Sequence, residues 1–543
     1  MTPTTDAPSW LDRLPPTLQA LRLPVFRMLW LAWLAANLTM WMNDVAAAWL
    51  MTQLTDSAVM VALVSAASTL PVFLLGLPSG ALADIVDRRR WFAATQLWVA
   101  CVAVLLALLS MADALDAHLL LALTFANGIG LAMRWPVFAA IVPEIVPRER
   151  LSPALALQAL AMNISRVLGP VFAGALLAAS GSTSVFVLNA LLSLAAFVQV
   201  LRWRSPPRIS ALPGERFVGA MRVGLQHVMQ SPRMKAVLVR VFLFFLQSTA
   251  LTALLPLVAR RLGGDAGSFT LLVSSMGIGA VVAALTVPQL RERVRHDTIA
   301  RIGTLVVAAA TVVVAWAPSL WIASLALVTA GVAWISTANT MTMSAQMALP
   351  NWVRARGMAI YQMALMGGSA AGAALWGQVA GRFDIRTALL TASAAGLVAL
   401  LATRRLSLQG GQGEDLSPVP AQPVPEPAID FEPEQGPVMV TVEYLVDPAR
   451  AAAFSAVMEQ TRLARMRQGA LSWGLFRDTG QPGRYIEYFV DENWTEHLRR
   501  MERFTAADIG LRERRMAFHV GPGQPRVTRY LAEDLGRHGV ASD

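Results

Sequence analysis

The sequence predicts a polytopic membrane domain, all α-helical, with twelve transmembrane helices in two six-helix halves, followed by a small α+β domain. Three observations predict this architecture. Hydrophobic residues make up 55% of the 543 residues and charged residues only 15%. Apolar stretches of about 20 residues, the length of a membrane-spanning helix, recur through the first three quarters of the chain. The apolar pattern then changes after a proline-rich segment. Since a soluble chain carries about 25% charged residues, the composition excludes disorder and argues against a soluble enzyme.

The twelve predicted spans follow one another without a long gap until the middle of the chain. Each is apolar over about the length that crosses the hydrocarbon core, so the lipid bilayer is the expected surrounding. No cleavable signal peptide is expected, because Met1 to Arg22 is polar and proline-rich. The spans are residues 26–50, 58–79, 91–111, 118–142, 152–179, 183–203, 236–259, 267–290, 299–317, 319–345, 356–380 and 386–403.

The net charge of +10 is unevenly distributed. Residues 1–405 carry 30 Lys and Arg against 15 acids, residues 406–437 carry six acids and no base, and residues 438–543 carry 15 bases and 14 acids. With the N-terminus inside, the loops on the cytoplasmic side hold 23 Lys and Arg and the opposite loops hold four. The positive-inside rule then places both termini in the cytoplasm. The basic charge is therefore explained by topology, and no nucleic-acid partner is expected.

An internal repeat relates the two predicted halves. Gln158–Met162 in span five is similar to Gln362–Met366 in span eleven, and Ser165 and Ser369 keep the same offset. Such a duplication is typical of transporters, whose substrate path lies between the halves. The predicted boundaries are residues 1–203 and 236–405 for the halves and 204–235 for the cytoplasmic loop between them.

The loop between spans two and three reads Gly80-Ala-Leu-Ala-Asp84-Ile-Val-Asp87-Arg88-Arg89-Arg90. It resembles the signature of the major facilitator superfamily, Gly-x-x-x-Asp-(Arg/Lys)-x-Gly-x-(Arg/Lys)-(Arg/Lys), with Ile85 and Asp87 as departures. A plain positive-inside cluster would explain the arginines but not Asp84. The resemblance implies a conformational latch on the cytoplasmic side, formed by Gly80, Asp84, Arg88, Arg89 and Arg90.

Span five contains Gly169-Pro170 and, further on, Gly174. A Gly-Pro pair inside a membrane helix is expected to kink it and to free backbone groups that then need partners. The pair resembles the span-five motif of the superfamily's exporters. The alternative is a helix-packing glycine with an incidental proline.

Ionisable residues within the spans are candidates for function, because burying charge in a membrane is costly. Asp44 lies in span one, Arg134 in span four and Arg166 in span five. A carboxylate that changes protonation state is the minimum requirement for proton coupling, and Asp44 is the best candidate. A static ion pair of Asp44 with Arg134 or Arg166 is an equally open alternative.

Three further polar residues lie in or near the spans. Asn37 and Asn163 are expected either to hydrogen-bond the substrate or to join neighbouring helices. Arg240 is near the cytoplasmic start of span seven, where we expect its side chain to snorkel toward water.

Four segments resemble one branch of this superfamily, the transmembrane secretion effector group, which includes enterobactin-exporter-like proteins. They are Trp41–Trp49, Leu82–Asp84, Val142–Pro147 and the Gly169-Pro170 pair. The resemblance implies a secondary-active exporter in the bacterial inner membrane, with protons as coupling ion and a small amphipathic substrate, siderophore- or drug-like. It does not fix the substrate, since pocket side chains vary on a shared fold.

Residues 406–437 are predicted to be a linker, because seven prolines between Ser417 and Pro437 favour extended backbone. The pattern of residues 438–543 then predicts a small α+β domain. Strands are expected at Val438–Val446, Ser472–Arg477, Arg484–Val490 and Arg526–Leu531, with helices at Pro448–Arg467 and Trp494–Phe518. This order resembles the ferredoxin-like domain of antibiotic-biosynthesis monooxygenases, which implies a homodimer formed through the sheet.

His497 and His519 are the plausible acid–base groups of this C-terminal domain. Neither belongs to a metal-ligand or nucleophile motif, and His497, on a charged helix, is interpreted as a surface or dimer-contact residue. We therefore predict no catalytic residue, metal site or cofactor, and a regulatory or dimerising domain. Two alternatives stay open: a transporter whose C-terminal domain modifies the substrate, and a membrane sensor or scaffold that does not transport.

Overall fold

The computed structural model describes residues 20–85, 87–202, 217–408, 415–420 and 426–533. The chain divides into two compact units. The membrane unit comprises Met1–Phe217, Val237–Ser344 and Ala359–Leu408, and the C-terminal unit comprises Val218–Ala236, Ala345–Met358 and Gln409–Asp543.

Helices make up the described part of the chain up to Ala402, as the apolar pattern predicts. Several begin with an aspartate that caps the first turn: Asp87, Asp116 and Asp384 accept hydrogen bonds from backbone N–H groups three residues on. Asp87, a departure from the loop signature, is thus explained as a helix cap. The helices are α1 Pro24–Leu54, α2 Ala58–Ile85, α3 Arg88–Met111, α4 Ala117–Ile145, α5 Arg148–Arg202, α6 Phe217–Gln230, α7 Pro232–Ala253, α8 Leu255–Arg261, α9 Ala266–Arg293, α10 His296–Trp316, α11 Leu320–Met347, α12 Arg354–Arg382 and α13 Ile385–Ala402.

Eleven helical segments of the described chain are long and apolar enough to cross a membrane, where twelve spans were expected. The difference lies in α5, whose 55 residues contain the predicted spans five and six. At 1.5 Å per residue α5 is roughly 80 Å long, more than twice the hydrocarbon thickness of about 30 Å. Its helical dihedrals are interrupted at Gly181, with φ 77° and ψ −178°. Glycine adopts positive φ without the steric penalty of a side chain, so α5 is divided there.

The C-terminal domain is a four-stranded antiparallel sheet in the order β2-β3-β1-β4, with its helices packed on one face. The buried core includes Phe454 and Met458 of α14, which pack with Val440 and Phe489 of the sheet. The expected last helix is two helices, α15 and α16, because Thr505 and Asp508 form a capping box that starts a new one. The elements are β1 Val438–Leu445, α14 Ala451–Arg467, β2 Ser472–Arg477, β3 Arg484–Asp491, α15 Trp494–Glu502, α16 Ala506–Met516 and β4 Arg526–Leu531.

Described parts of the acidic, proline-rich segment are hydrogen-bonded to this domain. The Ala506 N–H donates to the Ser417 carbonyl at 3.1 Å, and the Trp494 N–H donates to the Gln435 carbonyl at 3.1 Å. The ring of Phe431 also contacts that of Trp494, with centroids 5.2 Å apart. These residues of the segment therefore lie on the surface of the domain that follows them.

Candidate functional site

Arg166 of α5 lies between two tryptophans from opposite halves of the membrane unit. Its guanidinium carbon is 5.6 Å from the ring centroid of Trp41 on α1 and 5.6 Å from that of Trp334 on α11. Such cation–π contacts strengthen when water is excluded. The Nε atom of Arg166 is buried and has no hydrogen-bond partner among the described residues. A cationic group with a donor that no described residue uses is therefore held where the two halves meet.

The two tryptophans are themselves positioned by their neighbours. The Trp334 Nε1–H donates to the Ser248 hydroxyl at 3.3 Å, and its ring meets that of Phe245 edge-on at 5.4 Å. A Cβ on Gly169 would lie 2.6 Å from the Cβ of Trp41, so this glycine lets α5 approach α1 closely. Sequence reasoning did not select Trp334. The available indication was a tryptophan within an apolar span that is otherwise rich in small residues.

Asp44 is not brought into an ion pair with either candidate arginine in the described structure. Its Oδ1 atom is buried without a hydrogen-bond partner among the described residues. Arg134, only 1% exposed, instead donates to the Ala36 carbonyl at 3.4 Å and lies 5.4 Å from the ring centroid of Trp33. Arg134 is therefore a buried charged residue, Asp44 is a partly buried one with a buried oxygen, and no ion pair joins them in the described structure.

The predicted asparagines have different surroundings. The Asn37 amide donates to the Trp33 carbonyl of its own helix at 2.8 Å, while its buried Oδ1 has no partner in the described chain. The side chain of Asn163 lies outside the described residues. Sequence reasoning missed a buried pair, in which the side-chain amide of Asn189 donates to the Asn43 Oδ1 atom at 3.2 Å.

The predicted latch is described only in part. Arg89 donates to the Leu201 carbonyl at 2.9 Å, and Arg90 is exposed. The side chains of Gly80, Asp84 and Arg88 lie outside the described residues.

Gly174 marks a close contact between the halves. A Cβ there would lie 1.9 Å from the Cγ2 atom of Thr270 on α9, so any larger residue would push the two helices apart. Within α5, the non-helical dihedrals are at Gly181 rather than at Gly169 or Pro170. In the described structure Gly169 and Gly174 thus serve close helix packing.

Arg240 forms a buried ion pair, so the expectation that it snorkels toward water is wrong. Its Nη1 atom donates to the Asp297 Oδ1 atom at 2.7 Å, and the two residues are 5% and 6% exposed. Asp297, in the first turn of α10, also accepts hydrogen bonds from the Ser407 hydroxyl and the Leu408 N–H. The opposite charge on α10 satisfies Arg240 inside the protein, which removes the reason to reach water.

His497 in the C-terminal domain is fully buried, so its interpretation as a surface or dimer-contact residue is wrong. Its Nδ1 atom is 2.7 Å from Asp491 Oδ2, and Arg529 donates to its Nε2 atom at 3.1 Å. Burial, with the charges of Arg500 and Arg529, lowers the pKa of His497, although Asp491 opposes this. Both ring nitrogens are therefore engaged by protein groups, which argues for a structural role.

A second buried network surrounds Glu487. Its Oε1 atom accepts hydrogen bonds from Arg465 at 3.0 Å and Trp473 at 3.1 Å, and its Oε2 atom accepts one from Tyr444 at 3.0 Å. Burial alone would raise the pKa of Glu487, but the charges of Arg465 and Arg515 and these hydrogen bonds lower it to about 2. The carboxylate is thus ionised and fully paired. His519 is likewise engaged, accepting from the Leu445 N–H at 3.0 Å.

Comparison with known proteins places this chain in a family. A family model described as "Transmembrane secretion effector" matches residues 16–536, which is nearly the whole chain. Macrolide efflux protein A of Streptococcus pyogenes is 23% identical over 237 residues, 43% of this chain and 58% of that protein. The staphyloferrin A transporter of Staphylococcus aureus is 22% identical over 254 residues, 46% of this chain and 63% of that protein. The chain thus spans about three fifths of the length of these relatives.

Solved structures show the same fold at low identity. The nucleoside transporter NupG (D323A mutant) superposes with a TM-score of 0.59 at 13% identity, over 70% of this chain and 99% of the other. A bacterial homologue of the human lysosomal transporter Spinster, in an inward-facing and occupied conformation, has a TM-score of 0.56 at 16% identity, over 71% and 97%. The fold of a polytopic membrane transporter expected from the sequence is therefore confirmed for most of the chain.

Proposed function

This chain belongs to the transmembrane secretion effector family of membrane transporters, and on that premise we propose that it exports a small amphipathic molecule by proton coupling. The observation that carries the proposal is the position of Arg166 between Trp41 and Trp334, which belong to opposite halves. A substrate bound there contacts both halves, as alternating access requires.

The chemistry of this site suggests the class of substrate. Two indole rings offer apolar surface, and the Arg166 guanidinium offers charge to a carboxylate or to an electron-rich ring. A siderophore- or drug-like molecule combines these features. The names of two relatives, a macrolide efflux protein and a staphyloferrin A transporter, support a substrate of this kind.

Asp44 is the proposed proton carrier. A carboxylate with a buried oxygen and no described partner changes protonation with little rearrangement of its neighbours.

The proposed topology is twelve crossings in the bacterial inner membrane, with α5 supplying two and both termini cytoplasmic. In this scheme the latch of Gly80, Asp84, Arg88, Arg89 and Arg90 closes the cytoplasmic side, and Gly169 lets span five pack closely against span one.

Transport in proteoliposomes with an imposed pH gradient tests the proposal. Candidate substrates would be metabolites that accumulate inside cells lacking the protein. We expect gradient-driven movement that Asp44→Asn abolishes, while Asp113→Asn, which makes the same change on an exposed residue, leaves it intact. Transport that Asp44→Asn does not alter would refute the proton-coupling role. A protein that moves none of the candidates would instead favour a sensor or scaffold.

For the C-terminal domain we propose a homodimer formed through the open face of its sheet. That face exposes Met439, Phe476 and Tyr530 at 38%, 60% and 49%, and the ring of Phe476 stacks on that of Tyr488. Phe476→Arg should give monomers in native mass spectrometry, and Val520→Arg, at an exposed position outside the sheet, should not. An unchanged mass for Phe476→Arg would reject the dimer.

The transporter–enzyme alternative has its own test. It would be favoured if the protein converted a transported substrate and lost this activity on deletion of residues 406–543.

A further inference from the structure

Three stretches of chain that are distant in sequence meet in the C-terminal unit. They are α6 with the turn after it, the connection between α11 and α12, and the α+β domain. The Gln226 amide donates to the Ala470 carbonyl at 2.6 Å, and the guanidinium of Arg503 lies 5.0 Å from the ring centroid of Trp352. The domain is therefore packed against both connecting segments.

A cavity of about 230 Å³ lies where the three stretches meet. Trp352 and His227 form one part of its lining, and Ala464, Gln468 and Leu511 of the domain form another. The ring of His227 meets that of Trp352 edge-on at 5.4 Å, so the two rings form a fixed wall. The cavity is larger than the roughly 150 Å³ that admits benzene and smaller than most drug-sized pockets.

Two residues of the lining each have a buried polar atom that no described residue hydrogen-bonds. The Trp352 Nε1 donor and the Gln468 Oε1 acceptor have no hydrogen-bond partner among the described residues. Gln468 is only 4% exposed. Because an unsatisfied buried donor or acceptor destabilises the protein, a group that supplies the missing partner binds favourably there.

The charge of the lining is positive. Four arginines contribute to it against one acid, Asp508, and Arg503 is also paired with Glu496 at 2.9 Å. Burial lowers the pKa of His227 to about 4, so this residue stays neutral and adds no charge. Its Nδ1 atom is 3.1 Å from the Arg467 carbonyl, which fixes the ring. The arginines are Arg233, Arg467, Arg503 and Arg514.

We propose that this cavity binds a small aromatic carboxylate. The ring packs against Trp352, the carboxylate faces Arg467 and Arg514 and accepts from Trp352 Nε1–H, and a ring hydroxyl donates to Gln468 Oε1. Such a ligand matches the volume, the charge and both unused polar atoms. The cavity lies within the C-terminal unit, two of whose segments connect helices of the membrane unit along the chain, so its occupant acts as an effector of the proposed transporter.

The test is equilibrium dialysis of radiolabelled 4-hydroxybenzoate against the full-length protein in nanodiscs. The protein used carries the Arg166→Met substitution, which removes binding at the proposed transport site. Binding to the cavity is then measured independently of whether the proposed transport function is correct. We expect saturable binding of one molecule per chain. 4-Hydroxybenzamide has the same shape but no charge, so we expect its affinity in competition to be at least tenfold lower.

Two variants and a control complete the test. Gln468→Leu should weaken binding about tenfold, because one hydrogen bond is lost. Arg514→Gln, at an exposed position whose replacement leaves the core intact, should weaken it several-fold, and Arg477→Gln, an exposed arginine outside the lining, should not. No saturable binding, equal affinity for the amide, or unchanged affinity in both Gln468→Leu and Arg514→Gln would overturn the proposal.

Discussion

The two halves of the membrane unit bury charge in different ways. In the second half, Arg240 and Asp297 form an ion pair that also ties down Ser407 and Leu408. In the first half, Asp44 and Arg166 have buried polar atoms without partners among the described residues. Since burying an unpaired charge is the costlier arrangement, pairing distinguishes charges that hold the fold from charges retained for another purpose. Substitutions at these residues should therefore separate a loss of stability from a loss of transport.

The largest effect is expected from Arg240→Ala. It leaves Asp297 buried without its counter-charge, so the protein should lose about 3–5 kcal/mol of stability. The measurement is the melting temperature of the purified protein. Arg301→Ala, which removes an exposed arginine from the same helix as Asp297, serves as control. An unchanged melting temperature for Arg240→Ala would show that this ion pair does not stabilise the fold, contrary to the difference inferred between the halves.

Glu487→Gln applies the same test in the C-terminal domain and should also lower the free energy of unfolding by about 3–5 kcal/mol. The pKa of Glu487 in the folded protein is about 2, below its ordinary value of 4.5, so its stabilisation is present above pH 4.5 and is lost as the pH falls toward 2. At about pH 3.5 pepsin should cleave the C-terminal domain of Glu487→Gln sooner than that of the unaltered protein. Glu459→Gln, in an exposed helical pair, should resemble the unaltered protein.

Arg166→Met should reverse the pattern, with transport lost and the fold retained. A hydrogen bond to a charged group contributes roughly 1.5–3 kcal/mol, so transport should fall about ten- to hundredfold. The melting temperature should stay level or rise, because an incompletely satisfied buried charge is removed. Transport at the original rate would show that Arg166 does not contact the substrate.

Asp44→Asn should remove the driving force rather than the binding site. One unit of pH gradient supplies about 1.4 kcal/mol per proton, equal to a tenfold concentration ratio. Accumulation against a gradient should therefore disappear, while exchange of substrate at equal pH continues. Loss of both activities would place Asp44 in substrate binding instead.

The smallest effect is expected from Asn189→Ala. It deletes the buried hydrogen bond to Asn43, and such bonds between membrane helices contribute about 0.6 kcal/mol. The melting temperature should fall slightly and transport should be unchanged. A large loss of transport would assign the asparagine pair to the substrate path.

The sequence was sufficient to predict the features that depend on the local pattern of apolar and polar residues. The strands of the C-terminal domain lie within a residue or two of their expected positions, because alternation of apolar residues is a local property. The spans were found for the same reason, and the count differed at Gly181, where helical structure resumes directly after a single non-helical residue.

Contacts between distant residues could not be predicted in this way. Arg240 and Asp297 are 57 residues apart, and their pairing depends on how α7 and α10 pack. The meeting of Arg166 with Trp334 depends on the approach of the two halves. Selecting Arg166 required only that a charge lay within a span, whereas finding its aromatic neighbour required the fold.

Asp44 Oδ1 and Arg166 Nε, which have no hydrogen-bond partner among the described residues, have a practical consequence. A ligand that binds the folded state and supplies partners to these desolvated polar groups raises the melting temperature, and at a fixed concentration a tighter ligand raises it more. A panel of compounds can therefore be ranked by heating the purified protein with each of them. The transported substrate should be among the compounds that raise the melting temperature most, and this can be measured before transport is assayed in vesicles.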